Sequence, residues 1–217
     1  MAVPPLVSAA AAGYLVGSGP VADLTTRLVT GGGRSLRSEG TGNPGGANAL
    51  VVLGKRWGYG IILADIAKGA AACRLGRRVA GDAGAHVAGT AAVIGHCFPI
   101  WSRFRGGKGV AVSLGQCAAT FPPYVPVDLA VAWAAAAKRW PASRFSSPTL
   151  AATVIASAAW VMASVLSWRR RWPNAWGPTP TALLPAAAAA SSGVILSRFA
   201  AAARAAQAPG AQPGAPA

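Results

Sequence analysis

Histidine, cysteine and acidic residues are all scarce in this chain. His86 and His96 are the only histidines, too few to make a metal site. Cys73, Cys97 and Cys117 are an odd number without metal-ligand spacing. Each sits in an apolar run and reads as a small buried hydrophobe. No Ser-His-Asp or Cys-His set for covalent catalysis is evident, so neither a metal nor a cofactor is expected. The N-terminal MAVPPLVSAAAAGYLVG has no basic n-region, which argues against a cleaved signal peptide.

Charge is scarce too. Only 12% of the 217 residues are charged and 53% are hydrophobic, whereas about a quarter are charged in an ordinary soluble domain. Five acids stand against 20 Lys and Arg, a formal charge of +15. Such an excess points to nucleic acid, anionic lipid or acidic substrates. Here the basic residues form short clusters between apolar runs, which favours membrane and phosphate. No nucleic-acid-binding motif is present, so no nucleic-acid partner is expected.

The fold expected is an all-α integral membrane bundle of about seven transmembrane helices, some of them short. The apolar segments are 4–21, 54–73, 83–101, 110–121, 124–137, 150–168 and 181–196. Gly13, Gly17 and Gly19 in the first permit close helix packing. Asp65 and Lys68 lie three apart on one helical face and read as an internal ion pair. Residues 1–197 form one membrane domain, and 198–217 read as a disordered Ala/Pro/Gly tail. Basic residues are more numerous in connections that face the cytoplasm when the N-terminus lies outside and the C-terminus inside. The triplets Arg74, Arg77, Arg78 and Arg169 to Arg171 run against that bias.

Two glycine-rich loops then share the cytoplasmic side. The first, GTGNPGGAN from Gly40 to Asn48, sets Thr41, Asn43 and Asn48 between glycines. It reads equally as a surface linker or a ligand loop. The second, GHCFPIWSRFRGGKG from Gly95 to Gly109, crowds Arg103, Arg105 and Lys108 around Gly106, Gly107 and Gly109. Glycine lets backbone approach a ligand. Successive N–H groups can form an anion nest, and a helix start adds its dipole. This loop reads as a phosphate or carboxylate cradle. It is not a P-loop, because Ser102 and Gly109 stand where that motif needs Gly and Ser/Thr.

At these residues the chain resembles the bacterial acyl-phosphate-dependent glycerol-3-phosphate acyltransferases, the small integral-membrane PlsY type. GYLVGS at Gly13 to Ser18, LRSEGTGNPGGAN at Leu36 to Asn48, LGKRWG at Leu53 to Gly58, DIAKG at Asp65 to Gly69 and GHCFPIWSRFRGGKGVA at Gly95 to Ala111 all fit. RFSS at Arg144 to Ser147 is similar to a further serine-bearing segment. Val51 stands where the family carries a phosphate-binding Arg, and Ser197 where its terminal motif carries His.

The resemblance implies acyl transfer from acyl phosphate to glycerol 3-phosphate, yielding lysophosphatidic acid for phospholipid biosynthesis, in the bacterial inner membrane with the active face cytoplasmic. Acyl phosphate is a mixed anhydride, so positioning and charge stabilisation suffice. Lys108, Thr41 and His96 are the expected catalytic residues, with His96 either orienting the cradle or moving a proton. Arg37, Asn43, Asn48, Arg105, Gly106, Gly107, Gly109 and Ser147 are the expected substrate-binding residues. Membrane lipids are expected neighbours. The departures at Val51 and Ser197 leave open a diverged membrane subunit or lipid-binding protein with a membrane-protein partner or a different acceptor.

Overall fold

Gly13 and Gly17 fix how the first helix meets the rest of the chain. In the computed structural model, which describes residues 3–138 and 148–206, α1 (Pro5–Ser18) lies parallel and close to the second half of α4 (Lys55–Cys97). A methyl built on Gly13 would fall on the backbone of Ala88, and one on Gly17 on that of Ala92. This is small-residue packing of the kind that brings helices together in lipid, where apolar burial gives no net drive.

α4 runs for 43 residues but is two antiparallel arms. The chain turns back at Ala80 (φ −140°, ψ 28°) and Gly81 (φ 61°, ψ −156°). The Gly81 conformation is open almost only to glycine. Gly76 and Gly84 then face each other backbone to backbone across the turn, and Gly89 sits against Cys73.

Around this hairpin stand α2 (Val21–Thr30), α3 (Gly46–Val52), α5 (Val110–Thr120), α6 (Val125–Ala137), α7 (Pro148–Arg170) and α8 (Leu183–Ala206). α5 crosses the first arm of α4 with Gly69 and Gly115 at the contact. Gln116, fully buried, ties three elements together: Ser191 of α8 donates to its carbonyl at 2.8 Å, and its amide lies 3.4 Å from Thr90 of α4.

Among the described residues four helical stretches are long and apolar enough to cross a membrane: Pro5–Thr30, Lys55–Ser102, Pro148–Arg170 and Leu183–Ala205. The second contains the α4 hairpin.

Two boundaries differ from the sequence reading. The polar stretch after Pro20 begins with a helix, α2. Its Thr26 and Thr30 hydroxyls donate back to Ala22 and Thr26 carbonyls one turn earlier, which removes their polarity from the packed face. The folded domain does not end at 197: α8 continues through Ala206, as a run of alanines, the best helix former, favours.

Gly17→Leu should destabilise the protein by about 1–3 kcal/mol or more, read as a fall in melting temperature in detergent. Gly193→Ala, inside α8 with open space at its Cα, should not lower it, since alanine favours the helix.

Candidate active site

The first glycine-rich loop is built around one amide. Asn48 is buried, and its Nδ2 donates to the Leu36 and Glu39 carbonyls at 2.9 Å each. Its Oδ1 accepts Thr41 N–H at 2.8 Å. Its hydrogen-bonding groups are thus engaged inside the loop, so Asn48 shapes the loop rather than facing a ligand. Gly40 (φ 59°) and Gly42 (φ 68°) supply the left-handed turns. The Thr41 hydroxyl lies 3.4 Å from Asn43 N–H.

Arg34 clamps the same loop from outside. It bonds Glu39 through Nε at 2.9 Å and a terminal nitrogen at 2.5 Å, and donates to Val52 O at 2.7 Å. Glu39 also accepts Ser35 N–H. The Arg34 hydrogen bonds hold the Glu39 carboxyl below its ordinary range, opposed by desolvation and helped by Ser35 N–H and the Arg34 charge.

The second loop closes on its own helix. Pro99 O accepts N–H groups from Ser102 (3.2 Å) and Phe104 (2.9 Å), with Arg103 (φ 51°) and Phe104 (φ 61°) both left-handed. Non-glycine residues rarely adopt that region. Gly106 N–H donates to Cys97 O and Gly107 N–H to His96 O, both at 3.1 Å. The open nest expected of these two glycines is therefore not formed: their N–H groups hold the strap to the end of α4. Their absent side chains matter more. A methyl on Gly106 would strike the His96 carbonyl, and one on Gly107 the His96 ring at Nε2. Gly109 (φ 88°) starts α5 in a left-handed conformation.

Beneath the strap lies a buried charge cluster. Asp65 Oδ1 accepts from Lys68 Nζ at 2.9 Å, and His96 Nδ1 stands 3.6 Å away. Lys68 also donates to Gly19 O at 3.2 Å, where Gly19-Pro20 breaks α1 from α2 and the same carbonyl accepts Val21 N–H at 2.9 Å. Pairing of this kind is what ionisable groups at membrane depth require.

Arg37 joins the two loops. Its guanidinium grips Asp23 of α2 through Nε at 3.2 Å and a terminal nitrogen at 2.6 Å, and donates to Arg105 O. A cleft lined by Asp23, Arg37, Lys68, His96, Gly106 and Gly107 results, with Asp65 and Pro44 also on its wall. Thr41 and Asn43 do not line it, although Pro44 of their loop does.

Lys108 points elsewhere. Its ammonium lies 4.4 Å from the centre of the Phe199 ring. Burial, and next the charge of Arg198, lower its pKa. Arg105 contributes its carbonyl, as just described. Ser147 lies outside the described residues.

Arg198 was not among the expected site residues, yet it holds the strap. It donates to Gly107 O at 3.2 Å and Gly106 O at 2.9 Å and stacks 5.2 Å from the Phe98 ring centre. Val51 is 77% exposed, and the Ser197 hydroxyl bonds back to Val194 O, so neither lines the cleft.

A helical membrane fold with a cleft of paired charges at its helix ends defines a class, and comparison with known proteins narrows it. The glycerol-3-phosphate acyltransferase family matches residues 7–204. A glycerol-3-phosphate acyltransferase of Symbiobacterium thermophilum is 44% identical over 136 residues, covering 62% of this chain and 67% of that protein. One of a Bradyrhizobium species is 38% identical over 156 residues, covering 72% and 73%. Crystal structures of PlsY (YgiH), an integral membrane glycerol 3-phosphate acyltransferase, share the fold. The glycerol 3-phosphate form superposes with a TM-score of 0.70 at 24% identity, over 93% of this chain and 91% of that one. The lysophosphatidic acid form gives 0.69 at 22% identity. The chain belongs to the glycerol-3-phosphate acyltransferase family.

Two measurements check this geometry. Arg198→Ala should release the strap, since hydrogen bonds from a charged group contribute about 1.5–3 kcal/mol, and amide exchange at Gly106 and Gly107 should rise. Glu39 has a depressed folded pKa, so its stabilisation is complete above the ordinary carboxylate pKa of about 4.3 and disappears as pH falls through the folded value. Protection in residues 34–39, measured against the intrinsic exchange rate at each pH, should therefore fall at acid pH, and Glu39→Gln should remove that dependence.

Proposed function

We propose that the cleft transfers a fatty acyl group from acyl phosphate to the 1-hydroxyl of glycerol 3-phosphate, for phospholipid synthesis. The carrying observation is that the two glycine-rich loops meet at one cleft, with Arg37 bridging them and Lys68 and His96 beneath. The names borne by the relatives support the acceptor.

The acceptor oxygen attacks the acyl carbonyl carbon, and the carbon–oxygen bond to phosphate breaks. The products are lysophosphatidic acid and inorganic phosphate, and the hydroxyl proton leaves on the phosphate or through His96. A mixed anhydride carries a good leaving group, so the protein's part is to hold the two substrates in register and balance charge. Lys108 binds the donor phosphate, on the side of the strap away from the cleft. Thr41, Asn43 and Ser147 supply hydrogen bonds. Gly106 and Gly107 form the cleft wall against which the acceptor phosphate rests and Gly109 turns the chain into α5, Asn48 and Arg105 shape the two loops, and Arg37 faces the acceptor phosphate. His96, set between Asp65 and Gly107, orients the strap.

The bundle crosses the bacterial inner membrane about seven times, N-terminus outside, with the cleft and C-terminus at the cytoplasmic face. The excess of basic residues in the loops assigned to that face supports this orientation. A non-catalytic membrane subunit is not favoured, because the family match covers the chain from 7 to 204 and Val51 and Ser197 lie off the cleft.

Detergent-purified protein given palmitoyl phosphate and glycerol 3-phosphate should release phosphate only when both are present. Lys108→Ala should lower kcat/KM by roughly ten- to hundred-fold, the worth of one charged hydrogen bond. No release from folded protein would overturn the proposal. The ammonium form of Lys108 is lost at lower pH than in an ordinary lysine, near about 10.4. The alkaline limb of kcat/KM should therefore lie below that value, and Lys108→Arg should move it out of range.

A further inference from the structure

Two cavities share one ion pair. Asp23 of α2 and Arg37 of the first loop line both the cleft and a larger cavity beside it, of about 410 Å³. The cleft itself has about 20 Å³, room for about one water. The fork of Arg37 on Asp23, at 3.2 Å and 2.6 Å, stands in the wall between them. The two side chains are 32% and 33% exposed, so packing does not lock that wall shut.

Charge separates the two spaces. In the cleft, Arg37 and Lys68 are matched by Asp23 and Asp65. As closed, it offers a dianion neither volume nor surplus positive charge. The side cavity differs. Arg27, Arg34 and Arg37 line it, against the single acid Asp23. Arg34 is held by Glu39. Arg27 is exposed, lies four residues after Asp23 on α2, and has no ion pair among the described residues. Gly31 and Gly32 at the rim have open space at their Cα atoms, which leaves the entrance clear.

We propose that Asp23 is a stand-in for the acceptor's phosphate: it occupies Arg37 in the resting protein, and a phosphate monoester arriving through the side cavity displaces it. This rests on the acyl-transfer reading, in which that monoester is glycerol 3-phosphate. The anion is drawn first to Arg27, the unpaired charge at the entrance. A phosphate, with more charge and more acceptor oxygens, then competes with a partly solvated carboxylate for the Arg37 fork. Asp23 moves to Arg27, one turn along the same helix, in the acid-before-base order that favours such pairs. The exchange leaves no charge unpaired, which matters at a membrane boundary. With Asp23 withdrawn the wall opens, and the cleft gains volume for the acceptor beside the strap. Ser102 Oγ, 3.5 Å from Asp23, carries the change to the second loop.

The test is calorimetric binding of glycerol 3-phosphate to the intact protein in detergent, without acyl donor. A closed pair lowers apparent affinity in proportion to its population. Asp23→Asn should therefore tighten glycerol 3-phosphate by roughly three- to tenfold, the worth of a partly exposed ion pair. Asp23→Glu keeps the charge and should bind like the wild type. Arg27→Gln should weaken binding by roughly the same factor. A carboxylate that only supports the fold gives the opposite sign, with Asp23→Asn binding more weakly. Weaker or unchanged binding in folded Asp23→Asn overturns the exchange while leaving acyl transfer intact. Should Asp23→Asn not fold, unchanged affinity in Arg27→Gln overturns it instead. Inorganic phosphate is titrated in parallel, and tightening for it alone overturns displacement by the acceptor. Tighter glycerol 3-phosphate in Asp23→Asn, from a wild type that releases no phosphate from palmitoyl phosphate, supports the exchange and overturns acyl transfer.

Discussion

The Asp65 carboxylate is the fixed point on which the site depends. It is 3% exposed, inside a helix of membrane-crossing composition, where an unpaired charge would be strongly unfavourable. Lys68 and His96 both turn towards it. Breaking a buried pair costs about 3–5 kcal/mol because the remaining charge is left uncompensated, so these side chains are held in place. Through Lys68 the cluster reaches Gly19, where α1 gives way to α2. Through the His96 carbonyl it reaches Gly107. The first arm of α4 is thereby connected to both ends of the cleft.

Close helix packing makes that connection possible. Glycines at 13, 17, 69, 76, 84 and 115 let backbones touch, so α1, both arms of α4 and α5 converge without bulky layers between them. Tyr14 reaches Phe98 O at 2.8 Å and Trp101 reaches Ser18 at 3.1 Å, which pins the end of α1 to the start of the strap. Arg198 closes the strap from the far side. The two loops meet because the helices that carry them are in contact.

Much of this was legible in the residues, and the failures have physical reasons. The small-residue face of α1, the Asp65–Lys68 spacing and both glycine loops could be read because each is a local pattern with one dominant cause. α2 could not, since Asp23, Thr25, Thr26, Arg27 and Thr30 look like a loop until the threonines bond back along the helix. The direction of Lys108 could not, because a side chain in a turn takes its orientation from neighbours, here Phe199 and Arg198, 91 and 90 residues away in sequence. Arg198 follows Ser197 in the terminal motif, yet nothing local shows what it binds. Its partners are the carbonyls of Gly106 and Gly107, and only the packing of α8 beside the strap shows them. The glycines invited a nest reading, yet their N–H groups serve the His96 and Cys97 carbonyls; the bare Cα atoms, not the donors, are what the strap needs.

The central claim is that both glycine-rich loops border the one cleft that receives glycerol 3-phosphate. Hydrogen exchange of the intact protein with and without glycerol 3-phosphate tests it most directly. Binding should slow exchange in residues 34–48 and 103–109 together, with the same concentration dependence. Protection of only one loop, or of neither while calorimetry shows binding, would contradict it.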